Sequence, residues 1–244
     1  MSKFYKIALN HAWKLRDDFD AHLYLDGLAE EHRPPKEYRA RSVNRNHFRA
    51  PMAKAGGPYM CSMTAAISAG YWIIQQGSHR IVSYYGCDMV YQKDEANHFY
   101  GHGGDKGPMM GNFVQNSDYA VKYSRLFVFG LLNRVLFLNS SGQEGTQLPL
   151  PILPMGREFP MMVEWVLSHP VAQTILRHGL EALIAEQNLK TDVFKERLQV
   201  FNKSKEAKEI LQQISEQWVP VVEAMPEMSD IVRKMLDQRV PLPT

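Results

Sequence analysis

The 244-residue chain is 45% hydrophobic and 22% charged, a globular composition with room for one large domain or two small ones. Its formal net charge of +2 makes no whole-molecule case for nucleic-acid or membrane binding. Cys61 and Cys87 cannot build a disulfide framework, no apolar run reaches the roughly 18–20 residues of a membrane span, and the N-terminus lacks a signal-peptide core, so a cytoplasmic protein is expected.

Phe4–Leu9 (FYKIAL) and His22–Leu25 (HLYL) read as short strands, with AWKLRD between them as a helical turn or two. Arg33 to Lys54 then carries seven Lys or Arg residues and one acid, Glu37, so the rest of the chain is net acidic. This stretch reads either as a solvated loop or as an anion site for nucleotide phosphates or a polyanion such as DNA. Asn44, Asn46 and His47 add hydrogen-bonding groups there. Ala55–Gly56–Gly57–Pro58 precedes the first long helix, and free backbone N–H groups at such a turn suit a phosphate or carboxylate. The glycines match neither a P-loop nor a GxGxxG fingerprint.

The helix is expected from near Pro58 to Gly77, with Met60, Met63, Ile67, Gly70, Tyr71 and Ile74 on one face. Arg80–Tyr85 (RIVSYY) follows as a buried strand, and Ser117 is placed as the cap of a second helix, SDYAVKYSRLFVFGLLN. Val135–Leu138 (VLFL) is the next strand, and Asn139–Ser140–Ser141–Gly142 leaves it with hydroxyls that suit a sugar or simply a turn. Strands alternating with helices imply parallel strands and crossover helices. LPLPILPMGREFP, with four prolines, reads as a boundary near residue 150. Beyond it Ala172, Leu176, Leu180, Leu183 and Ile184 share one helix face, and Ile210, Leu211, Ile214 and Trp218 another. These helices read as a subdomain with solvated outer faces; an acceptor-binding lid or a homo-oligomer interface is the functional alternative.

The densest chemistry is Gly86 to Gly104, GCDMVYQKDEANHFYGHGG. Ligands bind at the carboxyl ends of strands in an open parallel sheet, so Asp88 and Tyr91 are expected at a rim. Asp88 either caps a turn there or contacts a substrate hydroxyl. His98 and His102 have the spacing of two zinc ligands on a helix, but Gly101, Gly103, Gly104 and Gly107 argue for a loop and against a metal. Imidazole titrates near neutral pH, so a general base is the functional role for this pair and a solvated structural role the alternative.

From Gly56 to Gln92, GGPYMCSMTAAISAGYWIIQQGSHRIVSYYGCDMVYQ followed by NHFYGH resembles the core of a bacterial sialyltransferase family. IALNHAW resembles the segment that carries an asparagine at the end of that family's second strand. The similarity covers roughly residues 5 to 150. It implies an α/β, Rossmann-like parallel sheet with crossover helices over 1–150, followed by a helical subdomain over 151–244. It further implies a metal-independent glycosyltransferase using a nucleotide-sugar donor and no cofactor. His98 would be the general base, Tyr91 would face the leaving phosphate, and Asp88 would order the site. Asn10, Gly56 and Gly57 would contact the donor, and His102 would support the loop. The family's opening strand and its Gly-Asn-Gly-Pro-Ser nucleotide loop have no counterpart in these residues. Arg41, Arg45 and Arg49 are therefore expected to serve a diphosphate donor, with Ser140 as a further donor contact. A glycan is the acceptor expected from the family, and hydroxymethylated DNA the one suggested by the basic stretch. The competing reading is a non-catalytic nucleotide- or sugar-binding module of the same fold.

Overall fold

The structure, a computed structural model, describes residues 4–24, 28–38, 40–56, 61, 64–87, 113–141, 146–153, 162–189 and 205–237. The chain divides into two compact units, Met1–Gln75 and Gln76–Thr244. The expected boundary near residue 150 falls inside the second. No described helix is long and apolar enough to cross a membrane.

The first unit holds a three-stranded parallel sheet of β1 (Ile7–Leu9), β2 (Ala21–Leu23) and β3 (Arg41–Val43), with β2 in the middle. Its central strand is buried at every position, as a strand covered on both faces should be. A 3-10 turn, Asn10–Leu15, occupies the first crossover. The basic stretch is not an open loop. It supplies β3 and then helix α1 (Arg45–Lys54). Asn44 caps α1 by accepting from the Asn46 N–H, and His47 Nδ1 accepts in return from the Asn44 N–H. Phe48 and Met52, one turn apart, bury the inner face of α1, roughly 1.5–3 kcal/mol each. Gly56 follows the end of α1 with a left-handed φ of 102°, where glycine avoids the Cβ clash. Helix α2 (Ala65–Gln76) is buried from Ala65 through Ile73, which agrees with the later part of the expected apolar helix; Pro58, Met60 and Met63 lie outside the described residues.

The second unit contains a parallel pair, β4 (Ile81–Tyr84) and β5 (Leu136–Asn139), joined through helix α3 (Phe113–Leu132). Parallel pairing with helical crossovers is therefore present, but among the described residues the strands form two sheets. Ser117 lies inside α3 and does not cap it. From Val121 to Val128 every residue of α3 is buried, so this is the central helix of the unit. It ends at Arg134, a left-handed residue with φ 58°, where the Arg134 N–H donates to Leu131 O and the Val135 N–H to Gly130 O. Arg134 and Arg80 both reach Glu164 of α4 (Met162–Ser168), at 2.9 and 2.5 Å. Burial raises the Glu164 pKa, but hydrogen bonds from its own backbone, Arg134 and Arg80 outweigh that and hold it below its ordinary value.

Helices α5 (Pro170–Asn188) and α6 (Lys205–Asp237) pack on each other and on α3. The buried line of α6 is Ile214, Trp218, Val221, Met225, Met228 and Val232, alternating four and three residues like a coiled-coil seam. The expected α5 face is displaced. Ala172, Ile175, Gly179, Ala182 and Glu186 are buried, whereas Leu180 and Ile184 are exposed. Small residues won that face because α5 lies close against α3: a Cβ on Gly179 would stand 2.6 Å from Val128 Cγ1. The proline-rich stretch is no linker over its described part, since Leu148, Leu150 and Leu153 are buried. It runs beside β5, with the Asn139 N–H donating to Pro151 O and the Leu153 N–H to Asn139 O. Ser229 of α6 accepts from the Ile152 N–H at 2.8 Å, so residues on either side of position 150 share one fold.

Candidate functional site

The carboxyl ends of the parallel strands present polar groups in both units, and each edge is built differently. In the first unit Asn10 follows β1, Tyr24 follows β2 and Asn44 follows β3. Asn10 is left-handed, with φ 48°, a conformation that asparagine tolerates better than most residues. Its carbonyl oxygen accepts from His22 Nε2 at 2.7 Å. That bond makes Nδ1 the lone-pair nitrogen of a neutral His22 ring. His22 is fully buried and its Nδ1 has no hydrogen-bond partner among the described residues. Burial is the main cause that lowers the His22 pKa; His11 lowers it further, while the Asn10 bond opposes both.

Tyr24 stacks on His22 at 5.1 Å between ring centroids and receives the Arg33 guanidinium over its ring at 5.0 Å. Its hydroxyl accepts from Ser42 Oγ at 3.2 Å. Arg33 is held in turn by Leu28 O, 3.1 Å from Nε and 3.0 Å from Nη2. His11 and His32 rings lie 4.8 Å apart, and His32 O accepts from Trp13 Nε1. Among the described residues no three His, Cys, Asp or Glu side chains are grouped to hold a metal ion, so these histidines are not read as a metal site. The edge offers amides, a phenol, an imidazole and a cation, a set suited to hydrogen-bonding a polar or anionic ligand.

In the second unit Tyr84 O accepts from the Ser140 N–H, tying the exits of β4 and β5 together. Gly86 turns the chain with φ 63°, and the Cys87 N–H donates to Ser141 Oγ at 3.2 Å. Asn139 is occupied structurally: its Oδ1 accepts from the Ser141 N–H and its Nδ2 donates to Thr146 Oγ1. Ser140 Oγ is buried with no partner among the described residues, a hydroxyl of the kind that ligands or water commonly satisfy.

Of the residues expected to form the site, Asp88, Tyr91, His98, His102 and Gly57 lie outside the described residues. Asn10 stands at a strand's carboxyl end, as does Ser140. Gly56 closes α1. Arg41 lies on β3 with its guanidinium 6.0 Å from the Trp72 ring centroid, and Arg49 is exposed on α1. Arg45 opens α1, and its side chain is outside the description. The His22–Tyr24–Arg33 stack was absent from the sequence reading. The signal for it was HLYL itself, where a histidine and a tyrosine two residues apart share one face of a strand.

No protein-family model, no curated protein and no solved structure matches this chain.

Proposed function

We propose that this chain is a metal-independent glycosyltransferase that moves a sugar from a nucleotide-activated donor to an acceptor hydroxyl. The observation that carries the reading is the left-handed Asn10 at the carboxyl end of a parallel strand, in a sequence segment similar to the donor-contacting strand end of the sialyltransferase family. Asn10 would bond the donor nucleotide. His98 would take the proton from the acceptor oxygen as that oxygen attacks the anomeric carbon. The bond from that carbon to the donor phosphate breaks in the same step, and Tyr91 would donate a hydrogen bond to the charge left on the phosphate. Asp88 would order the segment, and His102 would support it.

A donor-consumption assay on His98→Ala and His102→Ala tests the assignment. Loss of the base should cost about 10²–10⁴-fold in turnover, with His102→Ala much less affected. Turnover by His98→Ala equal to that of the unaltered protein would remove His98 from the mechanism.

A second reading, a nucleotide- or sugar-binding module without catalysis, is favoured by the edge of the first unit. Asn10, His11, Tyr24, Arg33 and Asn44 include binding groups but no carboxylate. Calorimetry with a nucleotide panel, run beside the donor assay, separates the two. Binding without donor breakdown or transfer assigns the module.

A further inference from the structure

We infer that β3 and α1 form a cationic surface for the phosphate backbone of a nucleic acid. Arg41, Arg49 and Lys54 are exposed, and none has an ion-pair partner among the described residues. Five other arginines meet acids: Arg16 pairs with Asp18, Arg80 and Arg134 with Glu164, Arg125 with Glu186, and Arg233 with Asp230. Helix α1 contains no acidic residue at all, and Arg45 opens it against the favourable sign of the helix dipole. Arg45 and Arg49 are also like charges at i, i+4, a spacing that weakens a helix. A local cost of this kind, on an element anchored by Phe48, Met52 and a capping box, marks a surface kept for a partner.

The partner is a polyanion of high linear charge density. Arg49 and Lys54 span about 7.5 Å of helix axis, while a duplex carries one charge per about 1.7 Å. Five residues also turn the helix by about 140°, so Arg49 and Lys54 flank α1 and would meet different phosphates of an extended backbone. A membrane fits less well. Membrane-surface helices carry large apolar side chains that enter the lipid, but the apolar residues of α1 are buried in the unit and its exposed ones are Ala50 and Ala53. The sequence expectation put Arg41, Arg45 and Arg49 on a donor diphosphate. Three cations with no ion-pair partner among the described residues, running from a strand onto a helix, suit an extended backbone better than one compact anion. This inference does not rest on the transfer reading, because binding is measured without donor.

Fluorescence anisotropy of the full chain with a labelled duplex of about 20 base pairs, from about 50 to about 200 mM salt, reads the surface directly. We expect binding that weakens steeply with salt. The double variant Arg49→Ala/Lys54→Ala should bind about tenfold or more weakly and lower the log–log salt slope by about two. Arg233→Ala, exposed on α6, should bind like the unaltered protein. Circular dichroism of each variant checks the fold. Four results would overturn the inference: salt-independent binding, equal binding by the double variant, tighter capture by phosphatidylserine vesicles or polyglutamate, or displacement of the duplex by a nucleotide sugar at stoichiometric concentration.

Discussion

Arg125 and Arg49 show how differently the two units use a guanidinium. Arg125 is buried on α3, with Nε 3.1 Å from Glu186 Oε1 and Nη2 3.0 Å from Oε2. The same carboxylate accepts from Trp218 Nε1 at 2.6 Å, and the Arg125 guanidinium lies 4.7 Å from the Phe129 ring centroid. One carboxylate thereby joins α3, α5 and α6. Arg49 stands exposed on α1, with no acid beside it among the described residues. The second unit spends its buried charge on holding helices in register. The first pairs Lys6 and Arg16 with Asp18 but leaves Arg41, Arg49 and Lys54 exposed. A charge inside a network is worth what its removal would leave unpaired, whereas a surface charge is worth little to the fold.

The sharpest break of this contrast is Glu186→Leu. It strands a buried guanidinium and removes the acceptor of the Trp218 N–H. We expect a loss of about 3–5 kcal/mol, read as a lowered urea midpoint. Adding Arg125→Met should recover most of that loss, since two apolar groups need no counter-charge. If the single variant unfolds like the unaltered protein, the network does not hold these helices together.

Gly179→Ala acts on the same helices without touching charge. Its Cβ would lie 2.6 Å from Val128 Cγ1 and 2.7 Å from Cγ2, inside contact distance. Overpacking of this kind costs about 1–3 kcal/mol in a denaturation midpoint. Val128→Ala in the same chain should relieve part of it. Full stability of Gly179→Ala would mean that α5 and α3 can move apart without cost.

His22 is a fully buried polar group of the first unit, and it sharpens the comparison through pH. Its folded pKa lies below the ordinary 6.5, chiefly because burial disfavours the charged ring. The unfolded chain therefore binds the proton more readily. Stability from this group is complete above about pH 6.5 and is lost as pH falls toward the depressed folded value. The slope of one proton is at most about 1.4 kcal/mol per pH unit. Urea titrations across that range should show the decline, and His22→Leu should flatten it. An unchanged profile in His22→Leu would assign the acid sensitivity to other groups.

What was legible in the sequence follows the same division. Strands β1, β2, β4 and β5 stood out because short apolar runs lay between turn residues, and α2 because its apolar residues recur at helical spacing. The basic stretch hid β3 and α1, since its charges outnumber the few residues, Val43, Phe48 and Met52, that anchor it. The α5 face was misplaced because leucines outweigh glycine and alanine in any hydrophobicity count, whereas close helix approach selects the small residues. The proline-rich stretch looked like a boundary because prolines mark turns, yet a chain at a sheet edge tolerates them. Asn10 was singled out by resemblance, and its left-handed backbone is an independent reason to single it out. Arg33 was missed because a cation over an aromatic ring across a turn leaves no spacing signal, whereas Tyr24 was marked only by its two-residue spacing from His22.

The smallest expected effect closes the contrast from its other side. Arg49→Ala removes an exposed charge with no ion-pair partner among the described residues, so its effect on stability should stay within about 0.5 kcal/mol. The sign should favour the variant, because the Arg45–Arg49 repulsion disappears and alanine is the better helix former. That gain should shrink as salt is raised, since exposed charges are screened within about 10 Å at 0.1 M. Thermal midpoints of the two proteins at low and high salt measure it. A clear destabilisation by Arg49→Ala would mean that Arg49 is spent on the fold as Arg125 is, and the first unit would lose its claim to a free cationic surface.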